Sequence, residues 1–467
     1  MKKIIALAMA LLMVSAVLLS GCGSPSGQDT PPAPEPAPAG DAQPATSTTV
    51  TEGSLGTINL WSFTDEIPKM VERYKELHPE FLYDFSTTII ATTEGAYQPA
   101  LDQAISGGGG QAPDIYAAEA AFVLKYTQGD AAEYAMPYKD LGIDIDALIP
   151  AAEIAPYASD IGTRPSDGQL VGLPYQATGG AFIYRRSLAN DTWGTDDPAV
   201  IKDKIGPGWD KFLEAAADLK AKGYAIVSGD GDIWHPMENN SEKGWIVDGK
   251  LYIDPGREQF LDIAKTLKDN GYMNDTVDWQ DPWFADMSDN GPQKVFGFFG
   301  PAWLINYVMG GNCGDTFGDW AICEPTNGFS WGGTWICANK NGNPDVRDAV
   351  AEIIQWITLD TSDEGLQYFW ANGMLYGDGG TKDTVASGVV MAKSDGVLEF
   401  LGGQNMFDVF VPAGATATGK NKTQYDETIN IYWRDQCRAY IAGEKSRDAT
   451  LADFKQMVAD NLDIIVE

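Results

Sequence analysis

The sequence predicts an α/β protein that folds into two or more lobes. A strand-like run at residues 57–63 is followed by Ile67, Met70, Val71 and Tyr74 at helical spacing. Further strands alternate with further helices along the chain, which favours parallel sheets covered by helices. The roughly 410 residues that follow the N-terminal region are more than one lobe usually holds. With 44% hydrophobic residues and 14 tryptophans, the chain can bury substantial cores.

The remaining elements follow from the same patterns in chain order. Strands are predicted at residues 81–90, 113–117 and 335–338. Helices are predicted at residues 97–105, 209–219, 260–267, 346–359 and 454–462. The first three of these helices stop at or just before glycines, as helix C-termini often do.

The N-terminal region has the pattern of an exported lipoprotein. Lys2 and Lys3 precede an apolar run at residues 4–19, which is shorter than a membrane-spanning helix needs and ends in Leu19-Ser20-Gly21-Cys22. We therefore predict a signal peptide at residues 1–21 and lipidation of Cys22, which would attach the protein to the cell membrane. An uncleaved anchor or a buried helix is the alternative. Residues 22–55 are rich in proline, alanine and serine and are predicted to be a disordered linker.

The charge of the chain excludes some classes of partner. The formal net charge is −34, from 66 acidic and 32 basic residues. Such a chain repels nucleic acids and anionic lipid headgroups over long range. The charge either keeps an exported protein soluble or reflects acidic groups that recognise a cation such as a polyamine.

The cysteines predict a disulfide and no metal centre. Cys313 and Cys323 flank a short loop that contains glycine and aspartate, and disulfides form outside the cytoplasm, so we predict that they pair. No Cys-x-x-Cys motif occurs and the chain has two histidines, which disfavours a structural zinc site. Cys337 lies in an apolar strand-like run and is predicted to be a buried thiol. We predict neither a cofactor nor a bound metal.

Several short motifs in collinear order resemble the family 1 extracellular solute-binding proteins, the ABC-importer class that includes maltose- and oligosaccharide-binding proteins. They are residues 58–61 (INLW), 110–115 (GQAPDI), 172–175 (GLPY), 182–185 (FIYR), 208–212 (GWDKF), 300–303 (GPAW), 332–336 (GGTWI) and 362–365 (SDEG). Together they span most of the mature chain. Arg185-Arg186 departs from the Asn-Lys of many relatives, and the region from Trp279 to Trp283 resembles an insertion.

The resemblance implies a two-lobed, periplasmic-binding-protein-like (type II) fold with three interlobe crossings and a central cleft. The crossings are expected near residues 175–178, 332–335 and 375–380. The N-terminal lobe would comprise residues 56–176 plus 335–377, and the C-terminal lobe residues 177–334 plus 378–467. The paired glycines in the second and third crossings suit a hinge, because glycine tolerates the backbone changes that a hinge demands.

The candidate ligand-binding residues combine aromatic platforms with polar groups, because sugars present flat C–H faces and rings of hydroxyls. Trp303 is the first candidate, since residues 300–303 match the family segment that delivers a stacking tryptophan. Trp61 and Trp331 follow. The polar candidates lie at strand ends or in the first crossing, and they are Asp65, Glu66, Glu119 and Gln176. Trp234, Trp279, Trp283, Trp335 and Trp370 are assigned to the core or to the lobe surface.

The resemblance implies a protein that binds and does not catalyse. Residues 328–332 match Gly-x-Ser-x-Gly, but a strand is predicted to follow and no histidine occurs after His235, so a nucleophile elbow is disfavoured. The predicted function is capture of a carbohydrate, an oligosaccharide above all, by a monomer that delivers it to ABC importer permease subunits. The alternatives are a secreted glycoside hydrolase and a receptor for a non-sugar solute such as a polyamine.

Overall fold

The computed structural model describes residues 45–48, 51–92, 95–110, 112–239, 241–377 and 379–466. The predicted signal peptide, Cys22 and most of the predicted linker lie outside these residues. Within them, no helix has the length and apolar character that a membrane crossing requires.

The described residues form a mixed α/β structure. The strands are β1 (Ala45–Thr48), β2 (Gly56–Ser62), β3 (Tyr83–Ile89), β4 (Ile115–Glu119), β5 (Thr163–Arg164), β6 (Gln169–Leu170), β7 (Gly172–Pro174), β8 (Ala181–Arg185), β9 (Ile246–Val247), β10 (Lys250–Leu251), β11 (Gly297–Gly300), β12 (Trp320–Cys323), β13 (Thr334–Ala338), β14 (Val397–Leu398) and β15 (Gln404–Asn405). The helices are α1 (Glu66–Leu77), α2 (Tyr97–Gly107), α3 (Val123–Thr127), α4 (Ile145–Ala152), α5 (Pro156–Gly162), α6 (Arg186–Trp193), α7 (Pro198–Ile205), α8 (Trp209–Ala221), α9 (Asp230–Glu238), α10 (Pro255–Asp269), α11 (Asp281–Asp286), α12 (Gly310–Asn312), α13 (Arg347–Thr358), α14 (Leu366–Ala371), α15 (Gly388–Ala392), α16 (Phe407–Thr416), α17 (Asp426–Ile441) and α18 (Arg447–Asn461).

Every strand and helix predicted from the sequence is present, with ends that shift by a few residues. The α/β class is therefore confirmed. The apolar spacing explains the agreement, because the predicted apolar positions of β2 and α1 are buried: Ile58 and Leu60 are fully buried, as are Met70 and Val71. The helices end where the sequence offers a stop, as at Gly223 after α8, whose φ of +86° suits glycine.

Two sheets organise the fold. The first has the order β1-β3-β2-β4-β13-β7, in which β2 is parallel to β3 and β4, and β13 is antiparallel to β4 and β7. The second has the order β11-β8-β12 and is antiparallel throughout. The expectation of parallel sheets therefore holds for the β2, β3 and β4 unit alone. The strands of the second sheet are far apart in sequence, so local β-α patterns could not reveal their direction.

The first correction concerns the predicted linker. Within residues 22–55, Ala45–Thr48 forms the edge strand β1, which pairs with β3, and Asp84 accepts hydrogen bonds from the backbone and hydroxyl of Thr51 at 2.7 and 2.8 Å. Threonine and serine fit an exposed edge strand although they have little to bury. The C-terminal part of the segment thus belongs to the folded unit.

The second correction concerns the predicted disulfide. Cys313 and Cys323 are both free, buried thiols. Successive residues of β12 face opposite sides of the second sheet, and Cys323 packs into the core that contains Phe182 and Phe212. Cys313 packs into the other core, beside Met309. The sheet therefore keeps the two sulfur atoms apart. Cys337 is fully buried in β13, as predicted.

Two chain segments run side by side between the sheets. The segment after β7 and the segment before β13 are joined by hydrogen bonds from Gly180 N to Phe329 O (2.9 Å) and from Trp331 N to Thr178 O (3.0 Å). A third segment, residues 383–386, lies against the first, since Ala386 N donates to Tyr175 O at 2.9 Å. It follows residues 375–380, where the third crossing was expected. The chain then contacts the second sheet at residues 399–401, which pack on β12.

Candidate functional site

The cleft begins where β4 ends. Glu119 is the last residue of β4, and its carboxylate accepts a hydrogen bond from Ala121 N at 2.9 Å. Ala120 N donates to Gly333 O at 2.9 Å, which ties this strand end to the crossing before β13. Burial raises the pKa of Glu119. Side chains at the carboxyl end of a parallel strand face the position where α/β proteins bind ligands.

The opposite wall comes from α9 and α17. Glu238, the last residue of α9, is 7% exposed and accepts a hydrogen bond from Asn430 Nδ2 at 2.9 Å. On α17, Arg434 pairs with Asp278 at 2.6 Å. Glu427 lies in the first turn of α17, and burial, together with the charges of Glu238 and then Glu119, raises its pKa to about 7. The charge of Glu119 therefore acts across the cleft on Glu427.

Two tryptophans, Trp279 and Trp331, line the cleft, and Trp303 contacts both of them. Trp303 Nε1 donates a hydrogen bond to Trp331 O at 2.9 Å, and the two rings meet edge to face with centroids 4.7 Å apart. Trp279 lies parallel to Trp303, with centroids 6.1 Å apart and planes inclined by 12°. The ring of His235 stacks on the indole of Trp331 at 4.4 Å. Burial lowers the pKa of His235, which favours the neutral imidazole.

Trp279 has a strained backbone. Its φ is +66°, in the left-handed region that a bulky side chain rarely adopts, and 48% of its surface is exposed. Strain of this kind persists where the surrounding structure imposes it, and it concentrates at functional sites. The sequence placed Trp279 in the core or on the lobe surface, because neither the positive φ nor the stacking on Trp303 can be read from residue types.

These walls enclose a cleft of about 420 Å³. Its lining residues come from the end of β4 and the residues after it, α9, the Trp279 loop, the crossing before β13, and α17 with the segment before it. They are Glu119, Ala120, Ala121, His235, Glu238, Asp278, Trp279, Ser330, Trp331, Gly332, Lys422, Glu427, Asn430 and Arg434. Of the residues predicted from sequence, Glu119 and Trp331 line it, and Trp303 contacts Trp331 directly.

A second polar group lies around the segment that follows α14. Gln176 Nε2 donates to Asp383 Oδ2 at 2.8 Å, and burial raises the pKa of Asp383 to about 7. Burial and then the charge of Asp383 raise the pKa of Glu66 to about 7. The same two carboxyl groups raise the pKa of Tyr307 after burial, and the Tyr307 side chain is 56% exposed. Glu66, Gln176 and Tyr307 are thus brought together around Asp383.

Two predicted site residues are not part of either group. Asp65 is exposed and pairs with Lys69 one turn along α1, at 2.5 Å. Trp61 is half-buried near the end of β2 and packs against the first core. Trp303 was predicted to stack its ring on the ligand, and its N–H is hydrogen-bonded to the crossing at Trp331 O.

The Gly-x-Ser-x-Gly match and the nearby Asp232 have structural roles in this region. Ser330 of the Gly-x-Ser-x-Gly match lines the cleft, but it bridges to Gly179 and the chain continues into β13, so the strand-turn-helix of a nucleophile elbow is not formed. Asp232 accepts hydrogen bonds from Ser228 N, Gly229 N and Trp283 Nε1, each at 2.9 Å. Its carboxylate therefore stabilises the N-terminus of α9. Within the described ranges, no group of three or more His, Cys, Asp and Glu side chains could hold a metal.

Comparison with known proteins yields a family and a fold. The family model described as bacterial extracellular solute-binding protein matches residues 69–395. A solved extracellular solute-binding protein of family 1 is similar with a TM-score of 0.70 and 19% identity, covering 86% of this chain and 99% of that one. The sugar-binding protein MalE of Xanthomonas citri gives a TM-score of 0.66 and 15% identity, covering 86% of this chain and 96% of that one.

A third solved structure has a ligand bound. The galacto-N-biose-/lacto-N-biose I-binding protein of the Bifidobacterium longum ABC transporter, in complex with lacto-N-biose, gives a TM-score of 0.63 and 14% identity. The similarity covers 89% of this chain and 99% of that chain. At these identities the structural matches establish the two-lobed fold alone. No curated protein matches the sequence significantly.

Proposed function

Because this chain belongs to the bacterial extracellular solute-binding proteins, we propose that it captures a carbohydrate, an oligosaccharide above all, for an ABC importer. The family is one of binding proteins that act outside the cytoplasm. The observation that carries the proposal is the exposed indole of Trp279, held beside Trp303 and Trp331 at the edge of a polar cleft. Indole faces stack on the C–H faces of pyranose rings.

The polar lining supplies the complementary hydrogen bonds. Glu119 offers acceptors at the wall formed by the end of β4, Asn430 and Lys422 offer donors at the wall near α17, and Ser330 offers a hydroxyl from the crossing before β13. A volume of about 420 Å³ lies within the range of small-molecule sites. Glu66, Gln176 and Tyr307 are proposed to contact a further sugar unit, which favours an oligosaccharide over a monosaccharide. We also propose that Trp61 and Asp65 contact the ligand, on the side of the cleft where Glu66 lies.

Ligands of structural neighbours support the sugar class. Similar proteins were solved with lacto-N-biose, as above, and with β-1,6-galactobiose, the latter in the binding protein of Bifidobacterium animalis subsp. lactis. The identities are below 20%, so the individual sugar does not transfer to this chain.

The location and assembly complete the proposal. Export would be followed by cleavage after residue 21 and lipidation of Cys22, which would leave the folded unit tethered to the membrane that holds the permease subunits. The protein is proposed to work as a monomer. The proposed lobes keep the boundaries predicted from the sequence, except that β1 joins the first sheet and the third crossing moves beyond residue 380.

A thermal-shift screen across mono- and oligosaccharides, polyamines and amino acids tests the ligand class. A ligand at 100 times its Kd stabilises the folded state by about 2.7 kcal/mol, which raises the melting temperature measurably. Stabilisation by saccharides supports the proposal, and stabilisation by amines or amino acids alone rejects it. Saccharides that bind should also be recovered unchanged after long incubation, because turnover would indicate the glycoside hydrolase alternative.

A further inference from the structure

The charges in the cleft do not balance. Glu119, Glu238, Asp278 and Glu427 face Lys422 and Arg434, while burial favours neutral His235. Arg434 is engaged by Asp278 at 2.6 Å. Burial alone would raise the pKa of Glu238, but the positive charge of Lys422 holds it below its ordinary value. Lys422 and Arg434 thus act most directly on Glu238 and Asp278, and their charges also oppose the rise in the pKa of Glu427.

Glu119 and Glu427 are the other two carboxylates that line the cleft. Glu119 accepts hydrogen bonds from backbone N–H groups, and among the described residues neither carboxylate forms an ion pair with a lysine or arginine. They come from opposite walls, one from the end of β4 and one from the first turn of α17. Closing the cleft on a neutral ligand would bring two like charges into a drier site, which costs free energy.

The aromatic groups around these carboxylates suit the same kind of ligand. Trp279 and Trp331 line the cleft with them, and a cation is attracted to the face of an indole ring. The second polar group also combines carboxyl groups with aromatic rings. Glu66 and Asp383 lie near Tyr307 and Tyr376, and these two tyrosines are 56% and 63% exposed. Family membership indicates a protein that binds a solute, and the charges of this cleft indicate the kind of solute.

We infer that the carbohydrate carries at least one protonated amino group, which is held between Glu119 and Glu427 against the face of Trp279. The inference rests on the proposed function and narrows it from carbohydrates in general to amino sugars with a free ammonium group. An N-acetylated sugar would lack the charge and would leave both carboxylates without a counter-ion.

Isothermal titration calorimetry with matched probes tests this. The pairs are glucose and glucosamine, galactose and galactosamine, and cellobiose and the β-1,4-linked glucosamine dimer, with spermidine as a cation that lacks a sugar. The amino form of at least one pair should bind about tenfold tighter than its neutral partner, or more. The same measurements are made on Glu119→Gln, Glu427→Gln and the control Glu444→Gln, an exposed residue that follows the far end of α17.

The glutamine variants in the cleft should lose the preference for the amino form, and Glu444→Gln should keep it. Circular dichroism and melting temperatures check that each variant folds. Equal binding of neutral and amino forms in every pair would overturn the inference and leave the proposed function standing. Binding of spermidine without any saccharide would overturn both the amino-sugar inference and the proposed function. Binding of none of the probes would overturn the amino-sugar inference, and the thermal-shift screen with larger saccharides would then decide the proposed function.

Discussion

Trp303 and Trp331 are joined by a hydrogen bond from the indole Nε1 of one to the main-chain oxygen of the other, 2.9 Å long. Trp331 precedes the Gly332-Gly333 crossing, so the bond links the segment after β11 to the passage between the two sheets. The indole of Trp303 can therefore act in two ways: its ring can stack on the ligand, and its N–H can stabilise the crossing by a hydrogen bond. Variants that separate the ring from its N–H distinguish them.

Trp303→Ala should lower the affinity for the bound saccharide by about thirtyfold or more, because a hot-spot aromatic contributes 2 kcal/mol or more to binding. Trp303→Phe keeps an aromatic face and removes the bond to Trp331, so it should retain most of the affinity while its melting temperature falls. Calorimetry and thermal melts measure both quantities. A Trp303→Ala protein that is destabilised but binds normally would remove Trp303 from the ligand site.

Trp279→Ala should weaken binding with little loss of stability, because the side chain is 48% exposed. Its φ of +66° strains any residue that has a Cβ atom. Trp279→Gly should therefore be at least as stable as Trp279→Ala, although glycine usually costs stability through backbone entropy. Chemical denaturation of the two variants provides the measurement. A clear loss of stability in the glycine variant relative to the alanine variant would contradict the backbone conformation described for Trp279.

The four cysteines at 313, 323, 337 and 437 should be free thiols in protein exported from its own host, because all four are buried and unpaired. Burial also raises their pKa values, that of Cys337 to about 12, which keeps them unreactive. Alkylation should add nothing to the native protein and four groups after denaturation without reductant. If the mass shows that only two cysteines are alkylated after denaturation, the protein contains a disulfide, and the predicted Cys313–Cys323 pair would be correct after all.

The sequence predicted the local elements and two of the residues that line the cleft, but not the contacts that complete it. Glu119 could be found because it ends a strand, and Trp331 because it adjoins a crossing. Trp279, Glu427 and Asp383 could not be found from the sequence. Trp279 lies in a loop with a strained backbone, Glu427 lies at the start of a helix that is distant in sequence, and Asp383 lies in the third segment between the sheets. The disulfide prediction failed for a related reason, since closeness in sequence does not reveal which face of a strand carries a side chain.

Stability should depend on pH through Glu66. Burial, followed by the charge of Asp383, raises its pKa from 4.5 to about 7 in the folded protein. The folded state then binds the proton more tightly than the unfolded state, so this group's contribution to stability is fully present below about pH 4.5 and is lost as the pH rises to about 7. Glu66→Gln should melt progressively higher than the parent as the pH rises through this interval.

The matched control for that experiment is Glu72→Gln, an exposed position on α1. Its melting temperature should follow that of the parent at every pH, because the Glu72 side chain is exposed and its replacement removes no buried contact. A difference between Glu66→Gln and the parent that stays constant from pH 4 to pH 8 would show that Glu66 titrates normally and lies outside the group around Asp383.

Closure of the cleft should depend on the crossing before β13. Gly332 and Gly333 have φ values of +77° and +112°, and a Cβ atom at position 333 would lie 3.2 Å from the Trp335 ring and 3.4 Å from Thr178 Cγ2. Gly333→Ala therefore forces a left-handed backbone on alanine beside the other crossing, at a cost of about 1 to 3 kcal/mol. Small-angle scattering should show that the parent becomes more compact when it is saturated with ligand, and that Gly333→Ala compacts less.

A control at Gly249, exposed in the turn between β9 and β10 with a φ of +76°, imposes the same backbone strain away from the crossings. Gly249→Ala should lose stability yet close normally, because its strain does not act on the passage between the lobes. If the parent keeps the same radius of gyration with and without ligand, the cleft is a preformed groove, and closure about these crossings is wrong.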